Sequence, residues 1–419
     1  MSPISIRLRS ATASMLSLPW LRPLAEWPAE GITFRELPVG ASRHVVRFVE
    51  LDGTLYALKE MPVLVARREY ENLRELERRD FPAVRALGLV ERDDQESAIL
   101  VTDYLVGSFQ FRRLFRRLPP EARKHRDRLL DAMASLMVEL HRNGTFWGDC
   151  SLANTLFRRD GDRIQAFLVD AETSEVHPSL SDGQRAYDLE VLVENIAFGL
   201  ADLAAFQGRP DAFDEAIVAA ESVRSRYEAV WTELHEEPEL RADDRFAVNS
   251  RIRRLNELGF AVDEIELVPG SAPGRIRLRA AVTTRRFHSH RLAQLTGLVA
   301  LEGQARLLLN DLREYQAWLE ADEKITLRRE EGARRWLDEV LRPRLEQLAP
   351  AIGSQRDPLQ AYCDVLETKW LLSEQAGRDV GLDAAVEHYL AQGAPAPEVI
   401  EPGPAIEPGP AIEPDGGLA

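Results

Sequence analysis

Three oxygen-bearing side chains stand at the ends of short hydrophobic runs near the middle of the chain. Asp149 and Asn154 are five residues apart in HRNGTFWGDCSLANTLF (residues 141–157), and Asp170 closes the run FLV in FLVDAE (residues 167–172). Mg²⁺ takes hard oxygen ligands and shares them with nucleotide phosphates. Phosphoryl transfer needs a carboxylate near the acceptor hydroxyl and oxygen ligands for this metal. The pattern therefore predicts a metal and phosphate centre where two adjacent strands end.

This stretch resembles the catalytic loop of the protein-kinase-like superfamily, which reads D-x-x-x-x-N and is followed by an aspartate at the end of a short strand. The similarity is greater to the small-molecule and lipopolysaccharide kinases, whose loop often reads H-G-D-x-x-x-x-N. The resemblance implies that Asp149 is the catalytic base or the acceptor-orienting carboxylate. It also implies that Asn154 and Asp170 are the metal ligands. The loop pattern alone occurs by chance in many proteins, so its weight depends on the residues around it.

Further residues follow in the order that the superfamily has them. Lys59 ends the third predicted strand, where the superfamily has the lysine that contacts the α- and β-phosphates. Glu69 lies four residues before Leu73 on the first predicted helix, as in the superfamily's E-x-x-x-L run, and we prefer it to Glu71 as the partner of this lysine. The resemblance implies that Asp188 supports the catalytic loop through backbone N–H groups, whereas a simple helix N-cap is the alternative.

Three features depart from the superfamily's pattern. Trp147 stands two residues before Asp149, where the superfamily has a histidine that mainly serves as a scaffold, and an indole N–H could hydrogen-bond similarly. Asp170 is followed by Ala171 and Glu172 instead of Phe-Gly, and Glu172 could assist the metal. The glycine-rich loop is reduced to one glycine, Gly40.

The resemblance implies ATP and Mg²⁺ as cofactors. Main-chain groups of Asp103, Tyr104 and Leu105, where the β-rich region meets the helical region, would then contact the adenine. Backbone donors from Gly40 to Ser42 would cover the phosphates.

The elements that must position these residues change type along the chain. The runs ITFRELPVG, HVVRFVEL and TLYALKEM predict strands from Ile32 onward, and Asp52-Gly53 predicts a hairpin turn between the last two. A helix is predicted at 65–79, strands at VRALGLVE and SAILVTDYL, and a long amphipathic helix at 121–142. We therefore predict an α+β fold, in which a small β-rich lobe precedes a larger helical lobe.

The whole chain divides into four predicted parts. A loosely structured lead-in spans 1–31, a bilobal kinase-like domain 32–232, and a mostly helical α/β C-terminal domain 235–391. In the last domain DEIELV and RIRLRAAV predict strands, and long helices are predicted at 291–320, 330–346 and 355–391. The tail, residues 392–419, repeats EPGPAI and is predicted to be disordered, because Pro, Gly and acidic residues cannot bury a core. This layout resembles a bacterial family of unknown function, in which a lipopolysaccharide-kinase-like region precedes a C-terminal domain of no known role.

A run of basic residues marks the predicted C-terminal domain. The segment 267–301 has no Asp or Glu, and Arg275, Arg277 and Arg279 alternate with apolar residues, so they share one face of a strand. A solvated sheet face that pairs with acidic helices is one interpretation. A candidate anion patch for a phosphorylated acceptor or a nucleic-acid backbone is the other. His288 and His290 lack carboxylate or cysteine companions, which favours solvated loop histidines over a metal site.

Composition narrows the range of functions. The chain of 419 residues has 53 Lys and Arg against 69 Asp and Glu, a net charge of −16, which argues against binding nucleic acid or anionic membranes over the whole surface. Its two cysteines, Cys150 and Cys363, predict no disulfide framework and favour a reducing cytoplasm. Prolines and charges interrupt the N-terminal segment, so neither a secretory signal nor a membrane span is expected.

These observations predict an ATP-dependent phosphotransferase that moves the γ-phosphoryl group to a hydroxyl of a small molecule or protein. A pseudokinase or nucleotide-sensing module, which recruits a partner through the C-terminal domain, is the alternative. A nucleic-acid-binding regulator that uses the arginine strand is the third and weakest hypothesis.

Overall fold

The computed structural model describes ten stretches of the chain: 4–37, 43–92, 97–111, 123–206, 208–209, 212–241, 244–272, 275–282, 285–353 and 356–395. Gly40 and the tail from residue 396 lie outside these residues, so the predictions made for them stay predictions. Within the described residues, a β-rich first lobe is followed by a mostly helical region. The predicted α+β fold class is confirmed.

A five-stranded antiparallel sheet forms the first lobe. Its order is β1-β4-β5-β3-β2, with β1 at Ile4–Leu8, β2 at Val45–Leu51, β3 at Thr54–Pro62, β4 at Ala86–Arg92 and β5 at Ser97–Asp103. Asp52 and Gly53 both have positive φ, 51° and 76°, between β2 and β3. Two consecutive positive φ values match the right-handed twist of a tight hairpin, so the Asp-Gly turn forms as predicted.

The N-terminal segment is an ordered part of this lobe, contrary to the expectation of a loosely structured lead-in. Strand β1 pairs with β4 along its full length. Trp20 and Trp27 are 3% and 0% exposed and stack edge to face, with ring centroids 5.3 Å apart. The two buried indoles contribute a large apolar area to the core of this lobe. No periodic pattern in the sequence predicted their burial. The strand predicted from Ile32 is wrong for its described part, since residues 32–37 form no strand.

The second lobe is built on three long helices and a β-hairpin. The first lobe also contains the short helix α1 (Ala13–Leu16) and helix α2 (Val63–Arg78). The elements of the second lobe are β6 (Ser108–Gln110), α3 (Arg123–Arg142), β7 (Thr145–Phe146), β8 (Thr155–Asp160), β9 (Arg163–Leu168), β10 (Glu175–Val176), α4 (Asp182–Phe206) and α5 (Phe213–His235). The strands pair in the order β6-β8-β9. Apolar side chains of α3 and α4 pack with Phe157 of β8 and Leu168 of β9 in one buried cluster. This packing fixes the hairpin β8–β9 against the helices.

The C-terminal region has a small sheet and a helical bundle. Its elements are β11 (Glu239–Arg241), α6 (Arg245–Glu257), β12 (Val262–Pro269), β13 (Arg275–Val282), α7 (Phe287–Thr296), α8 (Glu302–Glu323), α9 (Arg329–Trp336) with the π-helical turn Leu337–Leu341, α10 (Arg342–Ile352), α11 (Pro358–Ala376) and α12 (Gly381–Ala391). Leu255 and Phe260 join the core of the second lobe, whereas Trp336 and Tyr362 belong to a separate core formed by α7–α12. The single helix predicted over 291–320 is wrong: Gly297, at φ 74°, ends α7 in the left-handed conformation.

Both cysteines are buried and free. Burial raises the pKa of Cys150 and of Cys363, so both stay protonated thiols at neutral pH. Among the helices that the structure describes, none has both the length and the apolar composition that a membrane crossing requires.

Candidate active site

A cleft of about 580 Å³ lies where the sheet of the first lobe faces the second lobe. Eight of the predicted site residues line it: Lys59, Glu69, Asp103, Tyr104, Leu105, Asp149, Asn154 and Asp170. They come from β3, α2, the end of β5 with the two residues after it, the loop before β8 and the segment after β9. The fold thus brings together residues that lie more than a hundred positions apart in sequence.

Lys59 lies between two carboxylates in this cleft. Its Nζ donates to Glu69 Oε2 at 2.9 Å and to Asp170 Oδ2 at 2.6 Å. Glu69 is 1% exposed, whereas Glu71 is exposed on another face of α2. Burial, reinforced by Asp170, raises the pKa of Glu69 to about 8 against the opposing effect of Lys59. Burial lowers the pKa of the Lys59 ammonium, but Glu69 and Asp170 outweigh it and raise that pKa overall.

Oxygen donors cluster beside the Lys59 ammonium. One carboxylate oxygen from each of Glu69, Asp170 and Glu172 lies within 4.8 Å of the others. Glu172 Oε2 lies 2.9 Å from His44 Nε2 and 3.7 Å from Lys59 Nζ. Hard carboxylate oxygens at this spacing suit Mg²⁺. The cluster contains Asp170, one of the two predicted ligands, and Glu172, while the other predicted ligand, Asn154, lines the same cleft.

The loop that carries Asp149 and Asn154 is shaped by its own backbone bonds. A 3₁₀ turn, Leu152–Asn154, begins at Ser151, whose side chain caps Ala153 N. Asn154 N donates to Ser151 O, and Asn154 O accepts from Val169 N, both at 3.0 Å. The Asn154 amide donates to the Asp149 carboxylate. Burial raises the pKa of Asp149, with Arg43 opposing and Asp170 adding to the rise.

Asp188 supports this loop from the first half of α4. The fully buried carboxylate accepts from Trp147 N at 2.7 Å and from Gly148 N at 2.9 Å. The bonds are those that the resemblance to the superfamily implied, and a helix N-cap is wrong because Asp188 lies inside α4. His141, at the end of α3, also contacts Asp188, with Nε2 at 3.2 Å.

Trp147 does not replace the superfamily's histidine by hydrogen bonding. Its side chain is 0% exposed, and among the described residues its indole N–H has no acceptor. His141 instead links the loop support to Tyr227, whose hydroxyl lies 2.9 Å from His141 Nδ1. Burial lowers the pKa of His141, so the ring is neutral at physiological pH. Sequence spacing gave no signal for His141, because its role depends on α4 and α5 crossing the end of α3.

A second residue missed by the sequence analysis holds the segment after Asp170. Asn72, three positions after Glu69 on α2, donates to Ala171 O and to Ser174 O, both at 2.8 Å. Residues three apart lie on one helix face, so α2 presents Glu69 and Asn72 to the same segment. The spacing E-x-x-N was visible in the sequence, but the partner segment was not.

The predicted adenine end of the cleft lies at the junction of the lobes. Asp103 N donates to Arg85 O at 3.1 Å and Tyr104 N to Leu55 O at 3.3 Å. The Phe48 ring packs edge to face on Tyr104, with centroids 5.6 Å apart. These contacts fix the segment that follows β5.

The three arginines of β13 lie outside the cleft, on the exposed face of the small sheet. Arg279 Nε contacts Glu237 at 2.8 Å, and Arg277 lies 3.8 Å from the same carboxylate. Two of the three charges therefore have acidic partners, as in a solvated sheet face. The interpretation of His288 as a solvated loop residue is wrong: it is 9% exposed on α7 and its Nδ1 lies 2.7 Å from Glu302.

The fold and the cleft define a protein-kinase-like domain followed by a mostly helical domain. Residues 48–208 match the lipopolysaccharide kinase (Kdo/WaaP) family. Residues 229–393 match a domain of unknown function, DUF4032. The chain thus combines a kinase-like region with a DUF4032 region on its C-terminal side. Kinases of this superfamily use a nucleotide and a divalent metal.

Comparison with solved structures gives a match to WaaP in complex with acyl carrier protein. That match covers 55% of this chain and 100% of the other, with 19% sequence identity and a TM-score of 0.34. No curated protein matches the sequence.

Proposed function

We propose that this chain is an ATP-dependent phosphotransferase that moves the γ-phosphoryl group to a hydroxyl of an acceptor. One observation carries the proposal: Lys59 is held between Glu69 and Asp170, in a cleft that also contains Asp149 and Asn154. Burying an ammonium group among carboxyl groups costs desolvation energy, and such arrangements with shifted pKa values are typical of sites with a binding or catalytic function. Binding of a polyphosphate beside a metal ion is such a function.

Each side chain has a role that its position supports. Lys59 donates to the α- and β-phosphates, while Glu69 holds the ammonium in place. The Leu105 N–H is the candidate donor to adenine, since the N–H groups of Asp103 and Tyr104 already have acceptors in the protein.

The metal site consists of oxygen donors from two segments. Asn154 and Asp170 would hold Mg²⁺, with Glu172 as an adjacent carboxylate. When bound, Mg²⁺ neutralises charge on the phosphate oxygens. ATP supply makes the cytoplasm the expected compartment.

Asp149 aligns the acceptor. Its raised pKa brings the carboxylate nearer to the working pH, which favours transfer of a proton from the acceptor hydroxyl. The acceptor is a small molecule or a protein, because the fold serves both classes.

A nucleotide-sensing pseudokinase is the second candidate. Trp147 favours it, because its indole N–H has no acceptor among the described residues and so does not replace the superfamily's histidine. In that case the chain would bind ATP without turnover, and the C-terminal domain would recruit a partner.

Calorimetry with Mg·ATP, followed by phosphate transfer from radiolabelled ATP in an untargeted metabolite screen, separates the two candidates. A phosphotransferase binds Mg·ATP and labels an acceptor, whereas Asp149→Asn binds with similar affinity and labels nothing. The Asp170→Ala variant is the control for metal-dependent binding. Binding without labelling of any acceptor supports the sensor, and absence of binding contradicts both.

A further inference from the structure

The hairpin β8–β9 connects the candidate active site to the C-terminal domain. At its base, β8 begins directly after Asn154, and Asp170 follows two residues after β9 ends. Thr155 pairs with Leu168 there, and Val169 N donates to Asn154 O at 3.0 Å. The spacing between the two predicted metal ligands is therefore set by the base of one hairpin.

The tip of the same hairpin is buried in the C-terminal domain. Asp160 is 5% exposed, and its two carboxylate oxygens accept from Gly303 N and Gln304 N, each at 2.8 Å. These N–H groups belong to the first turn of α8, where backbone N–H groups have no acceptor within the helix itself. Burial raises the pKa of Asp160, and the two N–H groups oppose this rise. An acidic side chain of one domain thus caps a helix of the other.

The backbone of the turn is held by a second side chain. Gln360 of α11 accepts from Gly161 N and donates to Gly161 O, each at 2.9 Å. A Cβ on Gly161 would lie 2.8 Å from the carbonyl group of Gly303, and a Cβ on Gly303 would clash with Asp160 O. Side chains larger than hydrogen are excluded from this contact, so the fit of tip to domain depends on both glycines.

Ion pairs surround this contact on the flanks of the hairpin. Arg306 of α8 lies 2.5 Å from Asp162, and Arg159 of β8 lies 2.8 Å from Asp364 of α11. Arg159 also approaches Glu367 at 3.3 Å. Contacts reach the turn and strand β8, which limits tilting as well as sliding of the hairpin.

We propose that the C-terminal domain is a positioning element for the metal-binding end of the cleft. By holding the tip of the hairpin, it fixes the relative placement of Asn154 and Asp170 at the base. The strands are six residues long, so the tip lies about 20 Å from the base at roughly 3.3 Å per residue. Asp160 acts through the hairpin and does not reach the reacting atoms. The consequence for phosphoryl transfer rests on the proposed function, whereas the mechanical coupling does not.

The coupling is tested in the nucleotide-free full chain by amide hydrogen exchange of the peptides that cover 152–156 and 167–172. Asp160→Asn keeps the shape of the side chain but points an NH₂ group at one of the two helix N–H groups. We expect exchange at the hairpin base to accelerate by about tenfold, as local opening becomes easier. Asp311→Asn is the matched control. Asp311 also lies on α8 and accepts two hydrogen bonds of 2.8 Å at Oδ2, from Trp336 Nε1 and Tyr362 Oη, and neither partner belongs to the hairpin.

A second variant, Gln360→Met, removes both hydrogen bonds to Gly161 without introducing a charge. Faster exchange at the base in Asp160→Asn or Gln360→Met, and not in Asp311→Asn, supports the coupling. Parental exchange at the base in both tip variants overturns it, as does equal acceleration in the control.

Calorimetry of the same proteins with ATP then distinguishes a failure of the coupling from a failure of the proposed function. If the parent binds Mg·ATP, the quantity to compare is the factor by which Mg²⁺ strengthens the binding of ATP. We expect this factor to be about tenfold smaller in Asp160→Asn and Gln360→Met than in the parent, and unchanged in Asp311→Asn. If the parent binds no nucleotide, the proposed function fails while the exchange result still decides the coupling.

Discussion

The Lys59 ammonium lies 2.6 Å from the Asp170 carboxylate, although 111 residues separate them in sequence. Lys59 is fixed by β3 of the first lobe, and Asp170 follows β9 of the second. The ion pair therefore joins the two lobes across the cleft. Both side chains are largely buried, with 13% and 20% exposure, so solvent screens the pair less than it would a surface pair.

Asp170→Asn tests the metal role of this carboxylate. The variant keeps the shape of the side chain but removes its charge, so Mg²⁺ should lose a charged ligand while the cleft stays intact. Loss of a charge-assisted contact of about 1.5–3 kcal/mol corresponds to roughly 10- to 150-fold weaker binding of Mg·ATP. Calorimetry with Mg²⁺ and with EDTA measures it, and Glu190→Gln, exposed on α4, is the control. Unchanged Mg²⁺ dependence in Asp170→Asn would contradict the assignment.

Glu69 predicts a pH dependence of stability. Its pKa is raised from 4.5 to about 8 in the folded protein, so the folded state binds more protons than the unfolded state between these values. Stability contributed by Glu69 is therefore present at low pH and is lost as pH rises toward 8. In Glu69→Gln, this part of the slope should disappear.

The measurement is the free energy of urea unfolding at several pH values across that window. The difference between parent and Glu69→Gln isolates the titration of this one side chain. Glu71→Gln, exposed two positions further along α2, should leave the slope of the parent unchanged. A parental slope retained in Glu69→Gln would show that its carboxyl group titrates normally.

The sequence predicted the parts of the site that follow from ordered, local patterns. Lys59 and Asp170 were predicted at strand ends, Glu69 on an amphipathic helix, and Asp149 and Asn154 in one loop motif. The structure brings all five to one cleft. Their roles stay predictions, since geometry places side chains without showing catalysis.

What the sequence did not reveal depends on partners far along the chain. In the sequence, Asp160 looks like an ordinary hairpin residue, because the α8 N–H group that it binds lies 143 residues further along the chain. His141 looks like the end of an amphipathic helix, because no local pattern indicates its contact with Asp188. Trp20 and Trp27 lie in a segment broken by prolines, and only packing on the first sheet shows them to be core residues.

Asp188→Ala should destabilise the protein strongly. It removes the acceptor of two loop N–H groups and of the buried His141 ring. An unsatisfied buried donor costs about 1–3 kcal/mol, so we expect a loss of about 3 kcal/mol or more. Chemical unfolding measures the loss, and Glu190→Ala, two positions further on α4 and exposed, should change the free energy by about 0.5 kcal/mol or less. A loss below about 1 kcal/mol in Asp188→Ala would show that water or the loop itself satisfies these donors.

Trp147 is held for its volume and not for its N–H. The ring is fully buried, while its indole nitrogen has no acceptor among the described residues. Trp147→Phe removes the unsatisfied donor and some apolar volume, two changes that oppose each other, so the unfolding free energy should stay within about 1 kcal/mol of the parent. Trp147→Ala leaves a cavity and should cost about 3–5 kcal/mol. If Trp147→Phe lost as much as Trp147→Ala, or lost affinity for Mg·ATP at unchanged stability, the indole N–H would be a working part of the loop.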